Sequence, residues 1–94
     1  MTKTTVRTAS LTAENTYSGP VELRGLFNFS LSGTWVATVH LQRSFDVGAS
    51  WLDVDSFTGN VETFGTEPED AVYYRLGVKT GNFTSGKIAG RLSQ

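Results

Sequence analysis

The sequence predicts an all-β fold, a single antiparallel β-sandwich or small barrel of about seven strands. Three observations predict it. Apolar residues recur at every second position, no stretch longer than a turn carries a helical period, and glycines punctuate the chain at short intervals. With 94 residues, the chain is long enough for one core and too short for two, so it forms one module.

Residues 1–19 are rich in Thr and Ser, with Val6, Leu11 and Tyr17 as their sizeable apolar anchors. The alternation Thr4-Thr5-Val6-Arg7-Thr8 suits an edge strand or a polar arm better than a core strand, and this end is expected to be the least well held. The sandwich proper is expected over residues 20–94. From Val21 the period is two: Val21, Leu23, Phe27, Phe29 and Leu31 share one parity and Glu22, Arg24, Asn28 and Ser30 the other. That is a half-buried strand bent at Gly25. Leu31 to Trp35 reads as a tight connection turning at Gly33, after which Trp35, Ala37, Val39 and Leu41 form the next strand and pair back across the turn.

Leu52 and Val54 then alternate with Asp53 and Asp55, with Phe57 closing that strand. Asn60 to Phe64 is a further short strand, and Gly65 to Ala71 is a polar, acidic loop marked by Pro68. Val72, Tyr74, Leu76 and Val78 line one side of the following strand. Ile88, Gly90 and Leu92 line one side of the last, joined to it through the glycine-flanked Thr80 to Gly86.

Eight basic and nine acidic residues leave a net charge of −1. Such a balance lacks the electrostatic footprint of a nucleic-acid binder or of a protein held on an anionic membrane. No window approaches the roughly 18 apolar residues of a membrane span, and the N-terminus has no apolar core of a Sec-type signal, so a chain made soluble in the cytoplasm is expected. The absence of cysteine excludes a disulfide framework, a thiolate zinc site and a thiol nucleophile together.

The most specific local pattern is Ser44-x-Asp46-x-Gly48-x-Ser50-Trp51, which resembles the Asp-box of sialidases and other β-proteins. Its chemistry is that of a hairpin. The carboxylate of Asp46 accepts turn amides, Gly48 supplies a backbone angle that other residues resist, Ser44 and Ser50 satisfy further backbone groups, and Trp51 packs over the turn. In propeller enzymes the motif recurs once per blade of roughly 40 to 50 residues. Here it occurs once in a chain too short for a propeller, so a structural role is expected and hydrolysis is not.

Other candidate chemistry is thin. Asp53, Asp55, Glu62, Glu67, Glu69 and Asp70 could support glycoside hydrolysis if two of them faced one another across a cleft, but Asp53 and Asp55 show the alternation of a solvated strand face. Glu67 to Asp70 lacks the ligand spacing of a calcium loop. His40, the single histidine, has no nucleophile partner and reads as an exposed strand residue. No phosphate-cradling glycine motif occurs, and the aromatics Phe27, Phe29 and Trp35 follow core parity rather than a nucleic-acid-stacking stripe. Glu69 to Arg75 partly resembles the tyrosine corner of immunoglobulin domains, but Arg75 stands where the cysteine belongs, and burying Tyr73 would bury Arg75 with it. Neither a catalytic residue, a cofactor nor a metal ligand is assigned.

Gly33 to Asn60, Val72 to Gln94, and within them Leu41-Gln42-Arg43-Ser44, the Asp-box, Tyr74-Arg75 and the closing Gly90-Arg91-Leu92-Ser93-Gln94, resemble a group of small β-sandwich proteins encoded in tailed bacteriophages and prophages. The resemblance covers about residues 20–94. It implies a non-enzymatic virion structural protein: first a head decoration (cement) protein partnered with the major capsid protein or other virion proteins on the capsid surface. The alternative is a head-fibre, tail or baseplate module, with a carbohydrate-binding role in host attachment carried by Trp51 or Phe83. A homo-oligomer is expected in symmetric surroundings. The segment containing Thr4, Thr5, Val6, Arg7 and Thr8 is the candidate docking arm, able to add a strand to an edge on a neighbour.

Overall fold

The computed structural model describes residues 5–94 and is all-β. Seven strands form one antiparallel sheet: β1 (Val6–Leu11), β2 (Thr16–Tyr17), β3 (Val21–Ala37), β4 (Val39–Ser44), β5 (Leu52–Phe57), β6 (Val61–Val78) and β7 (Phe83–Ser93). Their order is β1-β7-β3-β6-β4-β5, with β2 added on β6.

The sheet becomes a sandwich because its two longest strands turn a corner together. Inward residues Val21, Leu23, Phe27, Phe29 and Leu31 are buried, and between Leu23 and Gly25 the register with β6 slips. Leu23 faces Val72, yet Gly25 faces Glu67. Residues 68–71 of β6 are therefore looped out opposite a single residue of β3. Gly25 takes a left-handed φ of 70° there, and Pro68 lies outside the ladder, where its missing N–H breaks no bond. Strands that switch layers at such bulges are how an open sheet folds over on itself.

Layer one holds β1, β7, the Gly25–Ala37 part of β3 and the Val61–Glu67 half of β6. Layer two holds β2, the start of β3, the Val72–Val78 half of β6, β4 and β5. Leu11, Leu31, Ile88 and Leu92 from the first meet Val39, Leu41, Leu76 and Val78 from the second in one buried core. Rings meet across it: Phe27 with Tyr74 and Phe29 with Phe57, each pair with centroids 4.9 Å apart. The layers come close at Gly90, where an added Cβ would lie 2.6 Å from Leu76 Cδ1. At the β2 end, Ser18 joins the ladder with its side chain: its N–H donates to the Leu76 carbonyl at 2.7 Å, and its hydroxyl accepts the Leu76 N–H at 3.0 Å.

Four sequence expectations are corrected. Gly33 is not a turn: β3 runs straight through it to Ala37, paired with β7. Its φ of 105° serves a close strand approach instead, since an added Cβ would lie 2.5 Å from the Lys87 carbonyl oxygen. The run Trp35 to Leu41 is accordingly split at Thr38 between β3 and β4, with the Thr38 N–H donating to the Asn82 carbonyl. The acidic stretch Gly65 to Ala71 lies within β6 rather than between two strands: Gly65 to Glu67 pair with β3, and residues 68–71 form the bulge. Finally, Leu52 and Val54 are as exposed as the aspartates beside them, because β5 ends its layer and, among the described residues, no strand lies beyond it.

Candidate interaction surface

The turn between β4 and β5 is closed by the Asp-box residues. Ser44 Oγ donates to Asp46 Oδ1 at 2.6 Å and accepts the N–H groups of Asp46 and Gly48 at 3.3 and 2.8 Å. The Ser50 N–H donates to Asp46 Oδ1 at 2.9 Å, and the Ser50 hydroxyl donates to Oδ2. Val47 and Gly48 both take left-handed φ, 58° and 88°. The hydrogen bonds from Ser44 and Ser50 hold the Asp46 carboxyl down at about 2. Every oxygen of Asp46 is thus occupied in folding its own turn.

Trp51 leaves the turn to lie over the outer face of layer two. Arg75 is stacked between two rings, 3.8 Å from the Tyr17 centroid and 4.3 Å from that of Trp51, and its Nε–H donates to Gln42 Oε1 at 2.8 Å. Gln42 Nε2 in turn donates to Asp53 at 2.9 Å, and Asp53 also pairs with Lys79. The lysine and the amide hold the Asp53 carboxyl below its usual range. Tyr17 reaches Arg75 because Gly77 beneath its ring has no side chain; an added Cβ would collide with the ring. Trp51, weighed from sequence as a sugar platform, therefore already spends one face on Arg75. Phe83 packs against the core.

Glu67 is the residue whose role the sequence hides. It is buried at the corner of β6, where it accepts the Tyr74 hydroxyl at 2.6 Å, Arg43 Nη1 at 3.1 Å and the Glu69 N–H at 3.0 Å. Burial pushes its carboxyl up, and those three donors outweigh burial and hold it below the usual range. The same burial, with the carboxylate beside it, lifts Tyr74 to about 12. The carboxylate ties β6 on both sides of the bend to β4, and Arg43 also lies over the ring of Phe45 at 4.9 Å. Among the described residues no group of three His, Asp or Glu side chains could hold a metal ion. His40 is half-buried rather than exposed, and its Nδ1 meets no hydrogen-bond partner among the described residues.

Between the outer edges of β5 and the first half of β6 the sandwich stays open. A cleft of about 260 Å³ runs there over Phe27, Phe29 and Leu41, with Val54 and Phe64 on its rim and Arg43 and Tyr74 at one end. Phe64 is 73% exposed and Leu26, on the same outer face of layer one, 66%. Both stand apolar in water.

In the N-terminal segment, Thr4 lies outside the described residues. Thr5 exchanges both main-chain hydrogen bonds with Gln94, at 2.9 Å each, and Val6, Arg7 and Thr8 belong to β1, facing Ser93, Leu92 and Arg91 of β7. The described part of the candidate arm is thus an edge strand of layer one. Comparison with protein-family models, with curated protein sequences and with solved structures found no match for this chain.

Proposed function

We propose that this chain is a non-enzymatic structural protein of a phage virion, a decoration (cement) protein that binds the assembled head and stabilises it. The observation that carries the reading is where the exposed apolar side chains stand. Phe64 and Val54 line the open edges of the sandwich and Leu26 stands beside Phe64 on the outer face of layer one, while three of the acidic groups are turned to structural ends. Asp46 closes a turn, Glu67 pins a corner, and Asp53 sits between Lys79 and Gln42. An apolar rim beside unpaired strand edges is a surface for protein contact. The resemblance of residues 20–94 to small phage sandwiches supplies the setting.

The mechanism is mass action. A protein that binds the assembled shell and not its separated subunits stabilises the shell in proportion to its occupancy. Heads prepared with and without the protein should therefore differ in thermal release of DNA, the bare heads opening at the lower temperature. Identical melting of the two would remove the cement role.

A further inference from the structure

Layer one ends on one side at β1 and on the other at the Val61–Glu67 half of β6, and these two edges complement one another. Thr5 and Gln94 exchange both main-chain bonds. By the alternation of an antiparallel ladder, the amides of Arg7, Ala9 and Leu11 then face β7, and those of Val6, Thr8 and Ser10 point away from the sheet. Among the described residues no strand pairs with that outer side.

The β6 edge is open in the same sense from Val61 to Glu67 and ends at Pro68 and the bulge. Natural edges are blunted by lysine, proline or a bulge. Val61 to Glu67 contains neither residue and keeps an unbroken register with β3. Both this edge and the neighbouring β5 edge carry two acids, and β5 differs by a register shift within its ladder. Lengths also match, six residues in β1 against the run from Val61 to Glu67.

Charge decides the occupant. β1 and β7 carry Arg7, Lys87 and Arg91 and no acid, whereas six of the nine acidic residues fall between Leu52 and Asp70, where there is no base. Of these, Asp53, Glu67 and Asp70 are paired with Lys79, Arg43 and Arg24, and Glu62 is the acid of the edge itself that has no ion pair among the described residues. Among the described residues no carboxylate forms an ion pair with Arg7, Lys87 or Arg91. The domain is nearly neutral as a whole and polarised across its width.

We infer that a second copy of this chain occupies the β6 edge: β1 of one copy adds to Val61–Glu67 of the next, continuing layer one from copy to copy and covering Phe64. Such a contact joins two different surfaces, so it is heterologous and builds a ring where the rotation closes. Attraction between oppositely charged edges sets its direction and weakens with salt. The inference rests on the assembly reading above only for the idea that copies meet. It is tested on the isolated protein, so its failure leaves binding to a capsid untouched, and loss of capsid binding leaves this contact standing.

The test uses two variants that block one edge each. Thr8→Pro removes an outward-facing N–H from β1 without touching the ladder to β7, and Phe64→Lys places a charge on the β6 edge at an exposed position. By sedimentation equilibrium the wild-type chain should have a mass several times that of the monomer, falling toward the monomer as salt is raised, and each variant alone should be a monomer. An equimolar mixture should form a dimer and nothing larger, since one intact edge of each kind remains. A monomeric wild-type chain, variants that keep the wild-type mass, or a mixture that stays monomeric would each overturn the inference. Should Thr8→Pro unfold, hydrogen exchange of the wild type decides instead: amides of residues 61–67 exchange more slowly with rising protein concentration if the contact exists, and unchanged if it does not.

Discussion

Replacing Glu67 by Gln keeps the shape of the side chain and removes its charge at the corner where β6 changes layers. The Tyr74 hydroxyl, 2.6 Å away, can still donate to the amide oxygen. Arg43 and the Glu69 N–H, at 3.1 and 3.0 Å, lose a carboxylate that accepted both, and one of them now faces an NH₂ donor. Breaking a buried ion pair from one side costs about 3–5 kcal/mol. The Arg43 side chain is 35% exposed, so its charge escapes partly to water, which lowers the expected loss to about 2–3 kcal/mol.

For a domain of this size that loss lowers Tm by roughly 10–20 °C, readable by circular dichroism at pH 7. The effect has a signed pH dependence. The folded carboxyl of Glu67 lies below its ordinary value of 4.5, so its contribution is complete above that value and is lost as pH falls through the lower, folded one. The gap between wild type and Glu67→Gln should therefore close in acid. A loss under about 0.5 kcal/mol at pH 7, the level of an ordinary surface substitution, or a gap independent of pH, would refute the assignment of Glu67 as the pin of the corner.

Tyr74→Phe should cost about 1.5–3 kcal/mol, because it removes one hydrogen bond to a charged acceptor and leaves the ring packed on Phe27. Combined with Glu67→Gln it should cost less than the sum of the two, as a double-mutant cycle in urea would read. Gly90→Ala should destabilise by about 1–3 kcal/mol through the clash with Leu76, and a variant as stable as wild type would show that the layers sit farther apart. Asp46→Ala should speed exchange of the Gly48 and Ser50 amides without unfolding the domain. Its effect on stability should be complete above about 3.8, the ordinary carboxylate value, and vanish as pH falls through about 2.

The parts of this fold that can be read from sequence are those set by neighbours in the chain. The parity of Val21 to Leu31 and of Val72 to Val78 marks their buried faces, because a strand's period survives whatever it pairs with. The turn at Ser44 to Trp51 is likewise made by residues within reach of one another. Gly33 and Gly25 show the limit: both have left-handed φ, and a glycine in a turn and a glycine bending a strand leave the same mark in the sequence. What distinguishes them is β7, whose approach to Gly33 is fixed by residues more than fifty positions away.

Glu67 was hidden for a related reason. Within Gly65 to Asp70 its charge looks like one more solvated acid, and only the folding of Arg43 and Tyr74 onto it gives it a buried partner. Exposure of Leu52 and Val54 was equally illegible, since alternation marks a core strand only when another layer covers it, and β5 ends its layer. The exposed apolar rim follows from that topology rather than from any motif.

The copy number of this protein in purified virions, by quantitative mass spectrometry against the major capsid protein, tests the proposed role most directly. A decoration protein should be present near one copy per capsid subunit, or at a fixed fraction amounting to hundreds per particle. A few copies to a few dozen would contradict the cement role and place the chain in a neck, tail or baseplate, and its absence from the particle would contradict the virion assignment itself.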